Sequence, residues 1–146
     1  MERTLVIIKP DGVCKKHVGD ILKHFEKEGF KILALKMLHL NRSTAEGFYS
    51  VHKGKPFFDA FISFIITAPS VIVVLEGKYA VSRIREIIGK TDSSQAREGT
   101  LRRTYGVDNR RNVVHGSESK AMAHVEISYF FEHEEIHSYE SGDWDK

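Results

Sequence analysis

The run Val71-Ile72-Val73-Val74-Leu75, closed by Glu76-Gly77, constrains the fold of this chain more than any other stretch. Successive side chains of a strand point to opposite faces, so an unbroken aliphatic run reads as a strand covered on both sides. Thr4 to Lys9 is a second run of this kind, closed by the turn signal Pro10-Asp11-Gly12. Ile32 to Leu40, apolar on both faces, is a third. Buried strands need layers above and below them, and the intervening segments supply helices.

From Lys15 to Glu28, the positions Val18, Ile21, Leu22 and Phe25 recur at helical spacing, and Gly29 stands at the usual stop. Ser43 to Val51 reads as a short helix capped by Ser43, with Glu46 at the capping-box position. A second helix starts at Pro56 and runs to about Ile66. It has two apolar faces, Phe57 with Phe61 and Phe58 with Ile62 and Ile65, so it does more than seal one core. Tyr79 to Ile88 is helical on the Val81, Ile84, Ile88 spacing, with Gly89 as its stop. Residues 90–111 have weak periodicity and two breakers, Gly99 and Gly106, and a loop of that length inside a compact domain is usually functional. Val113-Val114 gives a last short strand, and Ser119 caps a helix to about Phe131.

Without the inserted helices the order is the split βαββαβ pattern, an α+β, ferredoxin-like antiparallel sheet with helices on its surface. A helical hairpin is inserted in it, and a long loop borders the site. The 146 residues read as a single domain, of which 132–146 form an acidic tail. One cysteine, Cys14, leaves no intramolecular disulfide and suits a reducing compartment. The apolar run Leu5 to Ile8 is too short for a signal peptide or a membrane span, so the reading is cytoplasmic. The net charge of +2 does not argue for a nucleic-acid coat, but residues 83–115 concentrate basic side chains, which suits a local anionic ligand.

The chemistry centres on Asn112-Val113-Val114-His115-Gly116-Ser117-Glu118-Ser119. His115 follows a strand and leads into a helix start, Gly116 admits close approach, and imidazole is a competent nucleophile toward phosphorus. Ser117 and Ser119 both read as potential helix caps. The other histidines, His17, His24, His39, His52, His124, His133 and His137, fall at exposed or helix-surface positions and share no metal-ligand spacing. Glu126, about two turns into the last helix, either folds back to orient His115 or is a surface carboxylate. Lys9, Arg85, Thr91 and Arg102 are candidates for holding phosphate, with solvated surface positions as the alternative. Gly89-Lys90-Thr91 is not a phosphate-binding P-loop, because Ile84 stands where its first glycine must be and the segment ends a helix.

With these residues assembled, the chain resembles the nucleoside diphosphate kinase family over nearly its whole length. The resemblance rests on Thr4 through Gly12, on Phe48-Tyr49 with Lys55-Pro56-Phe57-Phe58, on Gly99-Thr100-Leu101-Arg102, and on Asn112 through Ser117. It implies a ping-pong exchange. A nucleoside triphosphate phosphorylates His115, and a nucleoside diphosphate then takes the phosphate. It also implies that Lys9, Tyr49, Arg85, Thr91, Arg102 and Asn112 contact phosphates and sugar, with Lys9 and Glu126 counted beside His115 in the catalytic set. Phe57 would stack on the base, and stacking alone implies broad base specificity. Mg²⁺ would enter on the nucleotide, with no protein ligand of its own.

Glu118 stands where the family usually has Asp, Lys55 where it has Arg, and Asn109 where it has an apolar residue. Arg103-Thr104-Tyr105 and Thr91-Asp92-Ser93 also depart from its loop motifs. The tail resembles the longer C-termini of the family and implies a homo-oligomer, a hexamer rather than a tetramer, with neither membrane nor nucleic acid required. A catalytically weak member acting as a scaffold is the rival reading. A more distant one is a nucleic-acid-binding module using residues 83–111, which lacks the aromatic strand motif such modules carry.

Overall fold

The computed structural model describes all 146 residues. Strands β1 (Glu2–Ile8), β2 (Lys31–Leu38), β3 (Ser70–Gly77) and β4 (Val114–Gly116) form one antiparallel sheet in the order β2-β3-β1-β4. Seven helices accompany it: α1 (Pro10–Cys14), α2 (Val18–Lys27), α3 (Arg42–Phe48), α4 (Phe58–Ile65), α5 (Ala80–Ile88), α6 (Leu101–Tyr105) and α7 (Lys120–Phe130).

The central strands divide their side chains as strand alternation requires. Leu5 and Ile7 of β1 join Ile72 and Val74 of β3 in one core, closed by Ala45 and Phe48 of α3, Ile62 and Ile65 of α4, and Phe130 of α7. Val6 and Ile8 join Val71, Val73 and Leu75 in the second core, closed by Ile21 and Phe25 of α2 and Ile84 and Ile88 of α5. Each such side chain, taken fully out of water, contributes ~1.5–3 kcal/mol. The aliphatic runs therefore mark the two middle strands, and the helices sort to the two faces.

Several local expectations need correction. Pro10-Asp11-Gly12 opens the one-turn helix α1 instead of a simple turn, with Pro10 in its first turn. The first long helix begins at Val18 because Lys16, at φ 65, breaks the chain before it. Asn41, not Ser43, caps α3: its side chain accepts from the Thr44 amide at 2.8 Å. Residues 90–111 are not irregular throughout, since they hold a 3-10 turn at Ser93–Gln95 and α6, whose cap is Thr100. Ser119 caps α7 as its position suggested, accepting from the Met122 amide at 3.1 Å.

The third apolar run is not covered on both sides. β2 lies at the sheet edge, and Leu35 and Met37 are 51% and 58% exposed. The tail lies against the start of this edge, where its register with β3 is irregular between Ile32 and Ala34. The His137 amide donates to the Leu33 carbonyl at 2.9 Å, and the Tyr139 hydroxyl donates to the Ile32 carbonyl at 2.6 Å. No helix is long and apolar enough to cross a membrane.

Candidate active site

Strand β4 is short and lies at the sheet edge, but it is pinned to the middle strand β1, with His115 opposite Ile7. Its neighbours Val114 and Gly116 are buried, and a Cβ on Gly116 would lie 2.8 Å from Ile88 of α5. The glycine thus serves helix packing as well as the open side of the site. Strand alternation turns His115 to the opposite face, where the helix cap at Ser119 sends α7 back across it.

That return brings Glu126 to the histidine. Its Oε1 lies 3.0 Å from His115 Nε2 and accepts from the Ser117 hydroxyl at 2.7 Å. Glu126 is 6% exposed, which settles its two readings against a surface carboxylate. Ser117 caps no helix. It is wholly buried, and its hydroxyl also meets the Leu5 backbone, with the Leu5 amide at 3.3 Å. The sequence reading missed this role, yet the signal was present: residues i and i+2 of an extended segment share a face, so Ser117 follows His115 on the same side. Phe48 and Tyr49 close the imidazole edge-on, at ring-centroid distances of 5.6 and 6.1 Å. The Tyr49 hydroxyl is buried without a hydrogen-bond partner, and burial, helped by the Glu126 charge, raises its pKa.

Cations surround this unit. Lys9, at the end of β1, is buried, and its Nζ donates to the Asn112 Oδ1 at 2.5 Å and to the Arg110 carbonyl at 2.7 Å. It also lies over Phe61, 5.3 Å from the ring centre, and Phe61 in turn packs edge-on to Tyr49. Desolvation lowers the Lys9 pKa to about 7, a fall that Asp11 opposes and Arg102 reinforces. Asn112 is fully occupied, since its amide nitrogen donates to the Thr91 carbonyl at 2.8 Å and to the Asn109 carbonyl at 3.2 Å. Thr91 itself is exposed and enters the site through that backbone bond.

Arg102, on α6, donates to the Gly89 carbonyl at 3.0 Å and to the Val114 carbonyl at 2.9 Å. Its Nε is buried without a partner, and its pKa falls to about 10, first through desolvation and then through Arg85. Arg85 and Arg102 line one cleft with Ile88, Gly89 and Gly116, so two guanidinium groups converge beside the strand that carries His115. Two like charges held together this way suit an anion of high charge density.

Phe57 is not in this inner group. It sits 52% exposed before α4, its ring 5.8 Å from that of His52, with Lys55 Nζ at 5.9 Å. His52 ends the 3-10 turn Ser50–His52 and is half-buried, and its Nδ1 lies 2.9 Å from Lys55 Nζ. Desolvation first and Lys55 second lower its pKa, against the Glu118 charge. Lys55 by contact and Glu118 through its charge, two of the unusual residues, thus both act on His52 at the rim.

No group of three or more His, Cys, Asp or Glu side chains is arranged to hold a metal ion. Glu126 is engaged by His115 and Ser117, and around it stand the cations Lys9, Arg85 and Arg102, the Asn112 amide and the Tyr49 hydroxyl. This donor set fits an anion that brings its own metal better than a protein-bound metal.

Residues 2–136 match the family model described as nucleoside diphosphate kinase. The chain is 53% identical over 136 residues to the nucleoside diphosphate kinase of Chlamydia felis, covering 93% of this chain and 96% of that protein. Among solved structures it resembles the nucleoside diphosphate kinase of Aquifex aeolicus, with a TM-score of 0.90 and 44% identity over 92% of this chain and 98% of that one. The halophilic enzyme of Halobacterium salinarum, solved in complex with CDP, matches with a TM-score of 0.93 and 36% identity, over 98% of this chain and 96% of that one.

Proposed function

The chain belongs to the nucleoside diphosphate kinase family, phosphotransferases acting between nucleotides, and on that premise we propose that His115 Nδ1 carries the phosphate in transit. One observation carries this reading: His115 Nε2 is taken by Glu126 at 3.0 Å. With the proton on Nε2, directed at the carboxylate, the lone pair resides on Nδ1.

In the first half-reaction the Nδ1 lone pair forms a bond to the γ-phosphorus of a nucleoside triphosphate. The bond from that phosphorus to the β–γ bridging oxygen breaks, and the nucleoside diphosphate leaves with the electron pair. In the second, a terminal oxygen of another nucleoside diphosphate attacks the same phosphorus and the P–N bond breaks. Glu126 offsets the positive charge that grows on the imidazole as its lone pair is committed. Lys9, Arg85 and Arg102 neutralise phosphoryl oxygens, and Tyr49 offers its unpartnered hydroxyl. Asn112 holds Lys9 and ties it to the loop at Thr91. Phe57 stacks on the base without reading its edges, which gives broad base specificity. Mg²⁺ arriving with the nucleotide would supply further charge neutralisation.

The same reading takes residues 1–146 as one domain, located in the cytoplasm, in keeping with the single free Cys14. It includes a homo-oligomer, a hexamer in preference to a tetramer. The uncovered part of the β2 edge, with Leu35 and Met37 exposed, supports association between copies. Light scattering after gel filtration measures that state.

The mechanism is tested with a γ-labelled triphosphate. The expected product is an acid-labile, base-stable phosphoprotein, discharged by any nucleoside diphosphate and absent from His115→Ala, with Nδ1 as the phosphorylated nitrogen by NMR. Label that survives His115→Ala overturns the reading.

A further inference from the structure

Three residues other than glycine adopt a positive φ: Lys16, Tyr79 and Val113. The first two are exposed, whereas Val113, at φ 63, is β-branched and wholly buried, two residues before His115. A β-branched residue in this region is a genuine outlier and persists only where its surroundings over-determine it. Here both backbone polar groups of Val113 are held by the segment that follows β1. Its amide donates to Asp11 Oδ2 at 3.0 Å, and its carbonyl accepts from the Lys9 amide at 2.8 Å. Gly12 lets this contact close, since a Cβ there would lie 3.2 Å from the Val113 carbonyl oxygen and 2.9 Å from Ile8.

Resting on the phosphohistidine reading above, we infer that Asp11 is a positioning residue for the transfer: its carboxylate holds Val113 left-handed and so fixes the approach of the chain into His115. The flanking contacts give the clamp its leverage. Asn112, just before Val113, grips the Lys9 ammonium, and Val114, just after it, pairs with Ile8. A relaxation of Val113 toward the extended region therefore shifts the phosphate-binding lysine and the nucleophile relative to one another. The second Asp11 oxygen, Oδ1, is buried with no hydrogen-bond partner, so Oδ2 alone makes the directed bond. The negative charge of Asp11 also favours the protonated form of Lys9.

Four proteins test this: wild type, Asp11→Ala, Asp11→Asn, and Asp11→Ala combined with Val113→Gly, all assayed well below their melting temperatures. The readouts are single-turnover phosphorylation from γ-labelled ATP and amide exchange at Val113 without nucleotide. Asp11→Ala should phosphorylate ~10- to 100-fold more slowly, as expected of a nucleophile misplaced by a fraction of an ångström to an ångström. Its Val113 amide should exchange at least ~10-fold faster, reporting local opening. Asp11→Asn keeps an acceptor oxygen and should keep most of the rate. The double variant should exceed Asp11→Ala, because glycine takes a positive φ without strain.

Wild-type protection of Val113 together with an Asp11→Ala rate equal to wild type overturns the inference. So do equal losses in Asp11→Ala and Asp11→Asn, or no gain in the double variant. Failure of the wild type itself to label His115 overturns the phosphohistidine reading instead, while unchanged amide exchange in Asp11→Ala refutes the clamp by itself. Should Asp11→Ala not fold, Asp11→Glu moves the carboxylate by one methylene and carries the same expectations.

Discussion

His115 and Glu126 meet at 3.0 Å although one lies on the shortest strand and the other in the middle of the last helix. The contact exists because Ser119 starts α7 and because the Ser117 hydroxyl holds the same carboxylate oxygen at 2.7 Å. The imidazole is therefore oriented by its own downstream chain, while the cations around it come from Lys9, just after β1, and from α5 and α6.

Replacing Glu126 by Gln keeps the size of the side chain and removes the charge opposite Nε2. Phosphorylation of His115 should slow by at least ~10- to 100-fold, with little change in nucleotide affinity, as expected for an outer group that tunes a ligand's basicity. Ser117→Ala leaves the charge and removes one hydrogen bond to it, a change of ~1.5–3 kcal/mol in stability for a charged acceptor. Its signature is a lower Tm with a smaller loss of rate. Single-turnover labelling and thermal melts separate the two variants, and a Glu126→Gln rate equal to wild type would refute the orienting role.

Arg102 has two duties that one substitution disrupts together. Its guanidinium ties Gly89 and Val114 through their carbonyls, and it stands beside Arg85 in the cleft. Arg102→Ala should lower kcat by ~3–4 kcal/mol in activation free energy, the cost of losing one preorganised charge-stabilising donor. Arg102→Lys retains a charge but not the planar fork, and should recover only part of that loss. Steady-state kinetics on both variants measure this, and a near-wild-type Arg102→Ala assigns the arginine to structure alone.

Phe57 stands on the rim of the predicted site, half in solvent. A stacking platform of that kind acts on every base alike. Phe57→Ala should raise KM by an amount corresponding to ~1–3 kcal/mol, similarly for purine and pyrimidine nucleotides, with kcat less affected. A loss confined to one base would show that the rim reads base edges, a role for which His52 and Lys55 are the nearest polar groups.

The strands and the histidine were legible because each rests on a local pattern. Leu5 to Ile8 and Val71 to Leu75 carry their two-sided burial in their composition, and His115 stands in a run whose residue types need no partner to be recognised. What escaped depends on distant chain. Ile32 to Leu40 looks as covered as β3, but the edge position of β2, which exposes Leu35 and Met37, is set by strand order. The buried face of α7 was obscured because Val125 and Tyr129 are exposed while Glu126 is buried. The α3 cap was misread because Asn41, Ser43 and Thr44 all have capping chemistry, and only the backbone distinguishes them. Asp11 looked like a turn residue because its partner, Val113, is brought to it by the β1–β4 pairing.

Lys9 makes the site sensitive to pH in a direction that follows from its burial. Desolvation lowers its pKa from 10.5 to about 7, so above neutrality much of the free protein has an uncharged amine there. An incoming diphosphate places negative charge beside it and favours the ammonium, so binding above pH 7 must take up protons. The terminal phosphate of ADP, with a pKa of ~6, is already ionised at pH 8 and does not mask this uptake. Calorimetric titration with ADP at pH 8, in buffers of different ionisation enthalpy, should therefore give a net uptake of up to one proton per site. Affinity should fall as the pH rises from 7, and both effects should vanish in Lys9→Gln. The same shift acts on stability. Between about 7 and 10.5 the unfolded chain binds a proton at Lys9 that the folded chain does not, so this contribution grows as pH rises through that window. It is complete above 10.5, declines as pH falls through the window and is gone below about 7. Wild type should thus lose stability relative to Lys9→Gln as the pH is lowered through that window, measured by chemical denaturation. A constant difference between the two proteins would mean that Lys9 remains fully charged in the fold.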